Sequence, residues 1–158
     1  MRNFAPEEIE GVRRLFKKNG YPEVDTSVGG RRVHYFVLPS SMNPNLPGFL
    51  YRATGDSKED YVIGVDERVR ADLRPFAVLE EYIEFLELGV NSRGRVAKAE
   101  GEVLRLLSTD LLHDYVSMRL GVFRKELELA RRQPEKYLLT DEDREEFEAA
   151  IKLLEMSA

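Results

Sequence analysis

The feature that most constrains this chain is a change of hydrophobic period near Asp66. Before it, apolar residues alternate in short runs; after it, they recur about every 3.6 residues to the end of the sequence. A period of two buries one face of a strand, and a period of 3.6 buries one stripe of a helix. The change from the first to the second predicts an α+β fold, with strands grouped ahead of a helical second half. The 158 residues, 42% of them hydrophobic, suit a single domain over 1–158 with one core.

Ahead of the strands, Pro6, Glu7 and Glu8 open a helix that Arg13, Arg14, Lys17 and Lys18 close before Asn19-Gly20. Acid at the start and base at the end match the helix dipole, so a helix is expected over about 6–18. The β-branched and aromatic runs Arg31 to Leu38, Phe49 to Thr54 and Tyr61 to Val65 predict a small three-stranded antiparallel sheet. Gly29-Gly30 reads as a turn ahead of it, and the loop at 39–48, with three prolines, is a candidate rim for a site.

Four helices are expected in the second half, covering one sheet face. The first runs from about Leu73 to Leu88, with Pro75 in its opening turn and Gly89 just past its end. The second runs from about Arg93 to Leu107, and the third from about Thr109 or Asp110 to Arg132 before Pro134. The fourth follows Thr140, whose spacing to Asp143 resembles a capping box. The third carries two apolar stripes, one through Leu112, Val116, Leu120, Phe123 and Leu127, the other through Leu111, Tyr115, Met118, Val122 and Leu129. Two stripes call for two neighbours, so self-association as a homodimer is expected.

The segment with most chemical interest is Glu80-Glu81-Tyr82-Ile83-Glu84. On a wheel of about 100° per residue, Phe76, Leu79, Tyr82, Ile83 and Leu86 fall on one half and Glu80, Glu84 and Glu87 on the other. The plain reading is an amphipathic helix with a solvated acidic face. The chemical reading uses the same spacing: residues four apart can clamp one ion, so Glu80 and Glu84 are candidate metal ligands and Glu81 a candidate catalytic base. Glu100 or Glu102 on the following helix could add a third carboxylate. Such an all-oxygen set suits magnesium, calcium or manganese rather than zinc.

The run Tyr61-Val62-Ile63-Gly64-Val65, the helix Phe76 to Glu84 and the next helix containing Ala97 to Leu107 resemble the strand, motif helix and supporting helix of minimal zincin-like metallopeptidases. That family implies a zinc hydrolase built on His-Glu-x-x-His. Here glutamates stand at both histidine positions, and Glu81 alone matches, at the base position. The resemblance therefore implies a degenerate motif and no zinc cofactor.

Other classes are closed by composition. Twenty-nine acidic and 24 basic residues, spread along the chain for a net charge of −5, leave no basic stripe for nucleic acid. No apolar run approaches a membrane span, and Met1-Arg2-Asn3-Phe4-Ala5-Pro6 lacks the pattern of a leader peptide. The absence of cysteine suits a reducing, cytoplasmic setting, and the high charge resembles proteins from hot environments. His113 lies on one helix side with Asp110 and Ser117, but a serine nucleophile needs a strained turn and an oxyanion site that three helix-surface residues do not supply. His34 is expected on the less buried face of its strand. The chain is thus expected to be a non-catalytic binding or scaffolding module with no cofactor. The alternative is a divalent-metal-dependent hydrolase built on the carboxylates.

Overall fold

The computed structural model describes residues 3–157. Met1 and Arg2, the start of the segment weighed as a leader, lie outside the described residues, as does Ala158. The fold class is α+β. The chain divides into two compact units, Met1–Asn91 and Ser92–Ala158.

In the first unit, α1 (Pro6–Lys18) is followed by β1 (Glu23–Val28), β2 (Arg31–Leu38), β3 (Leu50–Thr54), β4 (Tyr61–Asp66) and α2 (Arg74–Tyr82). Glu8 closes the start of α1 by accepting from the Ala5 amide at 3.1 Å. The sheet has four strands in the order β1-β2-β4-β3, one more than expected. The extra strand is β1, whose run Glu-Val-Asp-Thr-Ser-Val alternates polar and apolar residues but is too hydrophilic to stand out. Gly29 and Gly30, at φ 57° and 77°, make the two-residue turn that joins it to β2; both positions need a left-handed backbone.

The pairing is also mixed rather than antiparallel: β1 with β2 and β3 with β4 are antiparallel, but β2 and β4 run parallel. The cause is the connection after β2. It passes over the position that β4 will fill and delivers β3 to the far edge, which is why it needs a long loop. Gly64 lets β4 lie close against β2, since a Cβ there would lie 2.3 Å from the Leu38 side chain.

The proline-rich loop is tied down rather than open. Asp66, fully buried, accepts from the Gly48 amide at 2.6 Å and from Arg68 Nε at 2.8 and 3.0 Å. Arg68 in turn donates to the carbonyls of Asn43, Pro44 and Leu46. The two helices of this unit take opposite sheet faces. Phe16 of α1 meets Phe36 and Tyr51, while α2 sits over the side of Arg52 and Tyr61, where Tyr82 meets the Tyr61 ring edge-on.

The helix expected over 73–88 is not uniform. After Tyr82 the backbone widens into a π segment, Ile83–Leu88. The Gly89 amide donates to the Glu84 carbonyl, five residues back, at 2.9 Å, and Gly89 at φ 87° ends the helix.

The second unit contains α3 (Arg95–Leu106), α4 (Thr109–Arg132) and α5 (Asp141–Ser157). Val96, Val116, Leu120, Phe123, Ala150 and Leu154 form its core. Thr140 and Asp143 cap α5 reciprocally, at 3.0 and 3.2 Å. The start of α3 is capped from α5: Glu146 accepts from the amides of Gly94 and Val96 at 2.8 and 3.2 Å. A Cβ on Gly101 would meet Leu153 at 3.7 Å, an ordinary contact, so helix approach there does not depend on glycine. Both stripes of α4 carry buried residues, Val116, Leu120 and Phe123 on one and Tyr115, Val122 and Leu129 on the other.

Candidate metal centre

The acidic segment bridges the end of α2 and the start of the π segment, and its carboxylates do not form a solvated face. Glu80 is 1% exposed and Glu84 4%. Oxygens of Glu80, Glu81 and Glu84 lie within 4.8 Å of one another. Carboxylates out of water and this close repel unless a positive charge or a proton accompanies them. One such charge comes from the sheet: Arg52 Nε on β3 stands 3.6 Å from Glu81 Oε2. Its guanidinium lies 3.4 Å from the centre of the Phe85 ring, a cation–π contact that fixes the arginine beside the knot.

Glu87, expected to share the acidic arc, is elsewhere. It accepts a two-pronged hydrogen bond from Arg31 at the start of β2, at 2.7 and 2.8 Å. That pair holds the Glu87 carboxyl below the ordinary glutamate range, chiefly through the hydrogen bond from Arg31, against a smaller opposing effect of burial.

Glu100, the other candidate ligand, lies in the second unit and is engaged there. It is fully buried, accepts from the Tyr115 hydroxyl at 2.5 Å and from Arg119 Nε at 3.0 Å, and Arg119 packs over Phe123. This is a structural polar core. His113, Asp110 and Ser117 are exposed on α4.

His34 faces a cleft of about 220 Å³ lined with Arg13, Lys17, Glu23, Glu59 and Tyr61. Glu23 stands 3.1 Å from His34 Nε2 and 3.9 Å from Lys17 Nζ, and Arg13 pairs with Glu10 and Asp60. The cleft's cations thus face acids of their own surroundings. Burial raises the Tyr61 hydroxyl's pKa, and the hydroxyl accepts from the His34 amide at 3.0 Å.

A sequence wheel identifies Glu80 and Glu84 as neighbours. It does not reveal their burial, the part played by Arg52 or the loss of Glu87 to Arg31, since these depend on which strand residues lie beneath the helix. No helix among the described residues is long and apolar enough to cross a membrane. No family model, no curated protein and no solved structure matches the chain.

Proposed function

We propose that the chain is a non-catalytic binding module whose Glu80–Glu81–Glu84 knot takes a divalent cation. The observation that carries this reading is the convergence of three carboxylates, two of them buried. Oxygens spread over 4.8 Å suit an ion that binds at about 2.3–2.6 Å and so spans roughly 5 Å between opposite ligands, as calcium does. Magnesium, at about 2.0–2.1 Å, would require the knot to tighten. All three donors are oxygens, which disfavours zinc and accords with the loss of both histidines from the zincin-like pattern.

A binding role is favoured over hydrolysis because Glu81, the candidate base, is paired with Arg52, and a carboxylate neutralised in this way is a poor proton acceptor. Cysteine-free composition accords with a cytoplasmic setting. Self-association through α4 is not part of this reading, since Tyr115, Val122 and Leu129 of its second stripe are buried.

Calorimetric titration with calcium, manganese and magnesium tests the reading. The parent protein is expected to bind calcium at one site per chain, and the Glu80→Gln/Glu84→Gln variant to lose that heat. A folded parent that gives no heat with any of the three ions would sink the metal site and leave the knot as an arginine-neutralised structural cluster. Metal-dependent hydrolysis abolished by Glu81→Gln would establish the hydrolase instead.

A further inference from the structure

We infer that the Arg31–Glu87 fork is a register lock, which holds the end of the motif helix in π geometry and keeps Glu87 out of the carboxylate knot. In a regular α-helix Glu84 and Glu87, three apart, are neighbours on one face. In the π segment the ladder runs to the fifth residue, as the Gly89-to-Glu84 bond shows, and this alignment is lost. The structure shows that separation: Glu80, Glu81 and Glu84 converge, and Glu87 turns to Arg31.

Isolated π turns are rare and need something to hold them. Here two arginines from the same sheet face grip the segment at successive points. Arg52 of β3 holds Phe85 from one side, and Arg31 holds Glu87 through two charge-assisted hydrogen bonds. Only the second couples charge to register, because releasing Glu87 returns a fourth carboxylate to the acidic face. Calcium affinity rises with the number of carboxylates offered, so the lock sets the charge of the site. That consequence rests on the cation reading above; the backbone register does not.

The two are separated by one set of variants. Hydrogen-bond scalar couplings in the full chain report which carbonyl the Gly89 amide uses. In the parent the coupling is expected to Glu84. In Arg31→Gln and in Glu87→Gln it is expected to move to Phe85, the α partner, and the charge-swapped pair Arg31→Glu with Glu87→Arg is expected to return it to Glu84. Arg32→Gln, which removes a neighbour paired instead with Asp25, is the control and should change nothing.

Calcium titration of the same proteins is expected to show tighter binding, roughly three- to tenfold, in Arg31→Gln but not in Glu87→Gln, which has no fourth carboxylate to return. A Gly89–Glu84 coupling unchanged in both single variants overturns the lock. Shifted coupling with no calcium binding in any variant keeps the lock and overturns the cation site.

Discussion

At the scale of single residues, the decisive fact is that a charged side chain's burial is set by what lies opposite it. Glu80 and Glu84 occupy positions that a wheel assigns to solvent, yet both are buried, and Arg52, remote in sequence, stands beside their partner Glu81. No pattern within residues 76–88 contains that information. Glu100 teaches the same lesson from the other side. As a sequence it was a candidate ligand; in the second unit it is the acceptor shared by Tyr115 and Arg119. Glu100→Ala strips two buried donors of that acceptor and is expected to cost about 3–5 kcal/mol, whereas Glu100→Leu with Arg119→Met should recover most of the loss. Urea unfolding of the two variants checks this. A single variant within 1 kcal/mol of the parent, by the scale of ordinary surface changes, would mean that the pair is not buried in solution.

At the scale of elements, those whose signals are local were legible. The N-terminal helix, the capping pair Thr140–Asp143 and the long α4 follow from charge placement, caps and period. The missed strand β1 had a local signal too, since Gly29-Gly30 between two alternating runs marks a two-residue hairpin; its polar face, exposed at the sheet edge, hid it. The parallel β2–β4 pair had no such signal, because strand order depends on where a loop lands.

The π segment likewise depends on contacts from the sheet, and its tie to β2 makes it sensitive to acid. The folded Glu87 carboxyl titrates below its ordinary value, so at mildly acid pH the unfolded chain binds more protons than the folded one. The Arg31–Glu87 contribution is therefore complete above the ordinary glutamate range and is lost as pH falls through the lowered folded value. With both side chains about a quarter exposed, it is worth about 0.5–1 kcal/mol. Unfolding free energies of the parent and of Glu87→Gln should differ by that amount at neutral pH and converge at strongly acid pH. A gap that stays constant assigns the effect to packing rather than charge.

At the scale of the whole chain, the change of period near Asp66 predicted strands first and helices after, but the division into two compact units comes later in the sequence, between Asn91 and Ser92. The boundary falls after α2 rather than after the last strand because α2 belongs to the sheet that it covers. This partition gives the cation reading a consequence that a site spread over both units would not have. Glu80, Glu81, Glu84 and Arg52 all lie in the first unit, so a bound ion stabilises that unit by mass action. At a free concentration about a hundred times the dissociation constant the gain is about 2.7 kcal/mol, which for a chain of this size raises the melting temperature by roughly 5–10 °C. Scanning calorimetry of the parent in calcium and in chelator should show that rise, and Glu80→Gln/Glu84→Gln should show none. Where the units melt in separate transitions, the rise should appear only in the one that Glu80→Gln/Glu84→Gln alters. A shift confined to the transition altered by Glu100→Ala would place the ion in the second unit and overturn the assignment of the knot.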